Sequence, residues 1–346
     1  MGPANAILFS VSPKHEASRG QAVETAFIQI WSFRDLFHHW PVFSLLKNGY
    51  SIDPVNIDAT VKSIQDPIIT QSDTPSTAPS DAEALTVEQA LANLAQREDL
   101  GLRYYAAWWL GRFRVREPGA VEALLAALED ESDRSPDGGY PLRRNAARAL
   151  GKLDDLRAVP ALIHCLQCSD VYVRETAAQA LEMLGDPVCI PDLVKLLDGG
   201  VEAAKQVPGK PHLVQPYAAI LEALGTLNAM EAVPLIQPFL EHSMEKVQYA
   251  AARAMYQLTQ QPVYGERLIR ALQGEDLQLR RAALMDVGAV GYLPAAEAIA
   301  ETLAENSLKL ISMKGVLEHH LEDNRGEPPV LSEDTIHVMD LMDTLL

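Results

Sequence analysis

The stretch AVPALIHCLQCSDVYVRETAAQALEMLGDPVCIPDLV, residues 158–194, decides the fold. It opens with Pro160 in Ala158-Val159-Pro160-Ala161-Leu162-Ile163, passes through the pair Ala177-Ala178, reaches Gly185, and begins again as Cys189-Ile190-Pro191-Asp192-Leu193-Val194. A proline is tolerated in the first turn of a helix, because the N–H it lacks would have no intrahelical partner there. The same opening returns at Ala232-Val233-Pro234-Leu235-Ile236. Outward from this stretch the alanine pair recurs at Ala106-Ala107, Ala146-Ala147, Ala218-Ala219, Ala251-Ala252 and Ala282-Ala283, giving successive spacings of 40, 31, 41, 33 and 31. Gly111, Gly151, Gly185 and Gly225 read as helix closers.

Each unit is thus helix–turn–helix, with small residues where two helices must approach. One hairpin cannot cover its own apolar face, so the units must stack. This is a HEAT-type pattern, and it predicts an all-α solenoid of six to seven helical hairpins, the seventh near residues 294–321. The two long spacings mark loop insertions at Glu131–Gly139 and Gly199–Lys210. The repeat occupies residues 85–321. Residues 1–84 show no sustained period, hold an aromatic patch from Phe27 to Phe43 and a Ser/Thr/Pro/Asp stretch at 71–80, and are expected to be a poorly ordered extension and linker. Residues 322–346 carry Pro328-Pro329 and then an amphipathic segment, Ser332 to Leu345, expected to cap the array.

Composition narrows the function. The chain has 346 residues and a formal net charge of -18, from 47 acidic and 29 basic residues. That field repels a phosphate backbone, which disfavours general nucleic-acid binding. No run approaches the roughly 18 apolar residues of a membrane span, and the first 20 residues lack the features of a secretory signal. The three cysteines, Cys165, Cys168 and Cys189, fit a reducing compartment better than a disulfide framework.

Few motifs carry chemistry. Cys165 and Cys168 form a C-x-x-C with no second pair, and read as small apolar helix residues. His319-His320 reads as a solvated helix end, and no metal site is expected. A di-iron hydroxylase of the deoxyhypusine type would need His-Glu pairs on several repeats, whereas the one such pair here, His15-Glu16, lies outside the array. No phosphate-binding glycine loop, nucleophile elbow or triad is present.

One helix stands out: Arg103-Tyr104-Tyr105-Ala106-Ala107-Trp108-Trp109-Leu110-Gly111-Arg112-Phe113-Arg114-Val115-Arg116. At about 100° per residue Leu102, Ala106, Leu110 and Phe113 share one face, expected to be core, with Tyr104 and Trp108 opposite. Aligned on the alanine pairs, the Tyr104 slot holds Arg144, Glu175, Pro216, Tyr249 and Arg280, and the Trp108 slot Arg148, Gln179, Ile220, Arg253 and Leu284. These slots are mostly polar, so the rings of the first unit, flanked by Arg103, Arg112, Arg114 and Arg116, are expected to be exposed for binding. The Trp109 slot holds Ala149, Ala180 and Ala254, so a tryptophan fits there only where a neighbour is missing or remodelled. Capping of the solenoid end, partner docking and contact with a small ligand all account for the cluster. A second group, Tyr140-Pro141-Leu142-Arg143-Arg144, reads as a solvated face or an anion contact.

The run Tyr104 to Arg112, preceded by Leu85-Thr86-Val87-Glu88-Gln89-Ala90-Leu91-Ala92-Asn93-Leu94, resembles the E subunits of the E/F-type phycobilin lyases, over about residues 85–320. The extension 1–80 departs from that family's short N-terminus. The resemblance implies a cytosolic cyanobacterial subunit that pairs with a homologous F subunit. Together they attach phycocyanobilin, a linear tetrapyrrole, through a thioether to a cysteine of the phycocyanin α subunit. It implies a bilin substrate and no required cofactor. The slot comparison and the second arginine group offer Arg103, Tyr104, Tyr105, Trp108, Trp109, Arg112, Arg114, Arg143 and Arg144 as the bilin- or partner-binding residues. Asp154 or Asp155 would keep the bilin protonated. A non-catalytic phycobilisome scaffold, a pair that detaches or transfers the chromophore, and an isomerising phycoerythrocyanin-type lyase are the alternatives.

Overall fold

A computed structural model describes residues 85–136, 138–321 and 332–346. The expected disorder of the N-terminal extension and the Pro328-Pro329 break fall outside the described residues. Among those described there are sixteen α-helices and no strand, only an isolated bridge between Gln206 and Leu213. They form seven hairpins, each with a first helix (A) and a second (B). The hairpins are α1 (Val87–Ala95) with α2 (Leu100–Arg112), α3 (Pro118–Leu128) with α4 (Pro141–Leu153), and α5 (Val159–Cys165) with α6 (Val171–Leu184). Then come α7 (Ile190–Lys195), the short α8 (Gly200–Ala203) of the second insertion, and α9 (Tyr217–Thr226). Next are α10 (Val233–Ile236) with α11 (Glu245–Thr259), α12 (Pro262–Leu272) with α13 (Leu277–Val290), and α14 (Ala296–Glu301) with α15 (Asn306–Leu321). Finally α16 (Glu333–Leu345) lies against the last hairpin. Its Val338 and Met342 are buried, His337 Nε2 is 2.7 Å from Glu297, and the Asn306 amide donates to Leu345 O at 2.8 Å.

Local chemistry sets the helix ends. Thr86 and Gln89 form a reciprocal capping box at α1. Asp99, Asp170 and Asp276 accept backbone N–H groups at the starts of α2, α6 and α13. Pro160, Pro191 and Pro234 each sit in the first turn, as the sequence requires. Gly185 closes α6 at φ +70°. Gly111, Gly151 and Gly225 behave differently from expectation: they lie inside their helices. A Cβ on Gly111 would stand 2.7 Å from Ala149 Cα, on Gly151 2.8 Å from Ala180 Cα, and on Gly225 2.6 Å from Ala254 Cα. Their role is to let consecutive B helices touch backbone to backbone.

These contacts also correct the register. Each glycine marks the same position of its B helix, so the residues equivalent to Ala106-Ala107 are Ile220-Leu221 in α9 and Ala283-Leu284 in α13, not Ala218-Ala219 and Ala282-Ala283. All four are buried, as Ala106 and Ala107 are. The insertion at 199–210 displaces the alanine count by two in α9, and in α13, where Gly288 would bring a Cβ within 3.0 Å of Ser312 Cα, the offset is one.

Gly225→Val should therefore cost about 1–3 kcal/mol of unfolding free energy by overpacking, while Gly274→Ala, whose Cβ would meet only Ala271 O at 3.4 Å, stays near wild type. Thermal and urea unfolding of both variants checks this.

Candidate functional site

With the register set, the free face of the B-helix row reads in three lines. The Tyr104 line holds Arg144, Glu175, Ala218, Tyr249 and Arg281. The Trp108 line holds Arg148, Gln179, Glu222, Arg253 and Met285. The Arg112 line holds Lys152, Met183, Thr226, Gln257 and Ala289. Ile220 and Leu284, which had looked like apolar exceptions on this face, are core.

Tyr104 and Trp108 stand 45% and 41% exposed on this face. Tyr105 stacks on Trp108 with centroids 5.4 Å apart, and Trp109 lies 4.9 Å from Phe113. Leu102 and Phe113, expected in the core, are exposed instead at 44% and 61%, and only Ala106 and Leu110 of that predicted face are buried. Arg103 is also placed differently. It is 5% exposed, its Nε donates to Leu94 O, and its guanidinium pairs with Asp130 at 2.7 Å. Burial would raise the Asp130 carboxyl, but hydrogen bonds from Arg103 and Ser132 hold it well below the usual carboxylate range. Arg103 therefore ties α2 to the first insertion and is withdrawn from the exposed cluster.

Arg112 and Arg114 are exposed, Arg114 at φ +50° just past the end of α2. Beside them lie Arg148 and Lys152 of α4. The Lys152 amine is held below its ordinary value by burial and by the charges of Arg148, Arg112 and Arg114. These four cations thus share one patch, against the exposed rings of Tyr104 and Trp108. Lys152 stands one turn beyond Arg148, in the slot of Arg112, a line that the Tyr104, Trp108 and Trp109 slots of the sequence do not include.

The second arginine group is turned elsewhere. Arg143 donates from Nε to Asp130 O and lies 4.4 Å over the Tyr140 ring. Arg144 shares the Tyr104 line, but its guanidinium pairs with Asp170 at 2.7 Å and lies 4.6 Å over Tyr172. It edges a cleft of about 610 Å3 where the two inserted loops meet, with Gly139 on one side and Lys210 and His212 on the other. Asp154, in the left-handed conformation at the end of α4, is 3.4 Å from Arg116, and Asp155 is clamped by Arg157, whose hydrogen bonds lower its pKa. Neither aspartate lies on the three lines.

A cluster not anticipated from the sequence sits midway along the row. Arg253 of α11 pairs with Glu182 of α6, with Asp286 of α13 at 3.3 Å and with Glu222 of α9 at 3.8 Å. Three carboxylates surround one guanidinium. Burial, together with the negative charge of Asp286, pushes Glu222 up to about 8 against the pull of Arg253. Burial raises Asp286 in the same way. The register slip had placed Ile220 where Glu222 stands.

Two of the three thiols are poor nucleophiles. Cys165 and Cys189 are buried, and burial pushes them up to about 12 and 11. His319 Nδ1 and His320 Nε2 lie 3.0 and 2.9 Å from the carbonyls of Gly315 and Gly291. Among the described residues no group of three or more His, Cys, Asp or Glu is arranged to hold a metal, and no helix is long and apolar enough to cross a membrane.

The class follows from comparison with known proteins. The HEAT repeats family matches residues 135–206 and 214–286, and the PBS lyase HEAT-like repeat matches residues 102–130, which hold the aromatic helix. This is a HEAT-repeat protein whose α2 and α3 match the lyase-type repeat. The phycocyanobilin lyase subunit alpha of Nostoc sp. PCC 7120 is 65% identical over 262 residues, 76% of this chain and 94% of that protein. That of Picosynechococcus sp. PCC 7002 is 61% identical over 77% of this chain and 98% of that protein. The solved complex of CpcE and CpcF of phycocyanin lyase from Nostoc sp. PCC7120 contains a chain 62% identical, matched over 80% of this chain and 100% of its own length with a TM-score of 0.72. The chain belongs to the phycocyanobilin lyase alpha-subunit family.

The acid cluster sets a pH dependence. Glu222 has a folded pKa above its unfolded value, so its contribution to stability is complete below the unfolded value and is lost as pH rises through about 8. Melting temperature should fall between pH 5 and pH 8, and Glu222→Gln should reduce that fall. Calorimetric scans of both proteins across that range test the assignment.

Proposed function

We propose that this chain is the phycocyanobilin-positioning half of a heterodimeric lyase, working with an F-type subunit to join the bilin to a cysteine of the phycocyanin α subunit. The carrying observation is the juxtaposition on one helix-row face of exposed Tyr104 and Trp108 with the cations Arg112, Arg114, Arg148 and Lys152. A linear tetrapyrrole presents a long conjugated surface and two propionates. Aromatic faces accept the first, and guanidinium and ammonium groups accept the second. The patch is cationic in a chain of net charge -18, so it draws an anionic ligand to one place on a molecule that otherwise repels it.

The reaction asks little chemistry of this subunit. The sulfur of the acceptor cysteine bonds to the exocyclic carbon of the ring A ethylidene group. The thiol proton ends on the ring carbon at the other end of the former double bond. Nothing is oxidised or reduced and no group leaves. The nucleophile comes from the acceptor, which fits the raised, buried thiols of Cys165 and Cys189. What the chain supplies is proximity and orientation: anchoring the propionates fixes the long axis of the bilin, and stacking fixes which face of ring A meets the thiol. Phycocyanobilin is then a substrate, and no cofactor is needed. The setting is the cyanobacterial cytosol, where the pigment and its acceptor are made. Attachment, rather than a scaffold role, is favoured because a scaffold needs no combined aromatic and cationic patch.

Trp108→Ala should lower bilin transfer at least tenfold while leaving association with the F-type subunit intact. Arg112→Ala combined with Lys152→Ala should raise the bilin concentration needed for half-maximal transfer. Both are read by co-expression with the partner, the phycocyanin α subunit and a bilin supply, as zinc-fluorescent pigment on a denaturing gel. Unchanged pigment yield from Trp108→Ala overturns the proposal.

A further inference from the structure

The cleft where the two inserted loops meet is not used by the pigment-positioning face. It measures about 610 Å3, the size of a small-molecule site, and lies between Gly138-Gly139, the start of α6 and the loop that precedes α9. Of its lining residues only Arg144 belongs to the three lines of the free face. Its charge is also unlike that of the chain as a whole. Arg144, Arg174 and Lys210 line it against a single carboxylate, Asp170. Asp170 is already engaged: it pairs with Arg144 at 2.7 Å and accepts the N–H groups of Tyr140 and Tyr172. Neither Arg174 nor Lys210 pairs with a carboxylate among the described residues. Burial lowers the Arg174 guanidinium from its ordinary value by more than Cys168 and Asp170 raise it, so its charge is undercompensated. Two cations thus face a cleft in a molecule of net charge -18, which marks the cleft for an anion.

The donors that remain specify the anion. Arg174 donates from Nε to Gln215, from Nη1 to the carbonyls of Cys168 and Ser169, and from Nη2 to Val214 O, which leaves one Nη2 N–H. The Lys210 ammonium and the Ser169 hydroxyl have no partner among the described residues, and both residues line the cleft. A carboxylate is held best by the paired N–H groups of a guanidinium fork. Both forks here are occupied, Arg144 by Asp170 and Arg174 mainly by backbone. Single donors on separate segments suit the terminal oxygens of a phosphate monoester instead, with lysine as a point charge. The cleft is larger than a phosphate group. Its other wall is aromatic and apolar, with Tyr172 and His212 5.7 Å apart edge to face and Val207 and Val214 beside them.

We propose that this cleft binds a phosphate monoester with a planar body, the phosphate among Lys210, Ser169 and the remaining N–H of Arg174, and the body along Tyr172, His212 and Val214. Occupancy ties the first insertion, α6 and the loop before α9 together. This is the seam that lacks a glycine contact: Glu182 stands in α6 where Gly111, Gly151 and Gly225 stand in α2, α4 and α9. A ligand here reinforces the one junction that the small-residue contacts leave weaker.

The test titrates the full chain by calorimetry with inorganic phosphate and adenosine monophosphate as probes, and with adenosine and glutarate as controls. Both phosphates should bind saturably, the monophosphate at least tenfold tighter than inorganic phosphate, and the monophosphate should raise the melting temperature. Lys210→Ala and Ser169→Asp change exposed side chains, and each should weaken the monophosphate at least tenfold with the far-ultraviolet circular dichroism unchanged. Absence of binding by both phosphates overturns the proposal, as does wild-type affinity in both variants. Adenosine or glutarate binding as tightly as the monophosphate overturns it too. Displacement of the monophosphate by phycocyanobilin, or loss of bilin transfer in Lys210→Ala, would make the cleft part of the pigment site and overturn it as a separate one.

Discussion

The whole molecule depends on backbone contact between consecutive B helices at positions that carry no Cβ or only a methyl group. Where Gly111 meets Ala149, Gly151 meets Ala180 and Gly225 meets Ala254, there is no space for a larger side chain. Such contacts fix each B helix in rotation as well as in distance, because a turn of even one residue would put a bulky side chain into the seam. That rotational lock decides which residues can reach the free face of the row. Trp108, Arg148, Gln179, Glu222 and Arg253 face the same way because the glycine and alanine contacts allow no other way.

The free face is then organised by charge. At its first end, cations gather beside aromatic rings, closely enough that the charges of three arginines add to burial in lowering a neighbouring lysine. Midway, three carboxylates close around Arg253, and partial burial makes one of them hold its proton near neutral pH. Removing Arg253 would leave three carboxylates facing one another at low dielectric, which is costly. Both groups draw residues from two or more consecutive units. Each is therefore formed only when the units stack, so the site and the fold share one set of contacts.

Much of this was legible in the sequence. The alanine pairs, the first-turn prolines and the two insertions specify the solenoid, because stacking forces small residues to recur at fixed places. The exposure of Tyr104 and Trp108 followed from the polar residues in their slots. Three things were hidden for identifiable reasons. The insertion before α9 changed the count by two, which moved Glu222 out of line and concealed the acid cluster. The helix α2 is apolar on several sides, so a single helical wheel could not separate core from surface, and it placed Leu102 and Phe113 inside. Arg103 reads as a surface cation, but its partner Asp130 is 27 residues away just past the end of α3, and only the folded chain brings them together.

A family of stacked hairpins has no intrinsic end, and this bears on how a positioning subunit can act without catalytic groups of its own. A thiol and a tetrapyrrole can react unaided, so selectivity must come from restricting approach, and restriction needs walls on more than one side of the pigment. One row of B helices supplies a single wall. The rings of the first unit stand at the corner between that wall and the open end of the stack: Trp108 faces the free side, Trp109 the end, and Tyr105 is stacked on Trp108 between them.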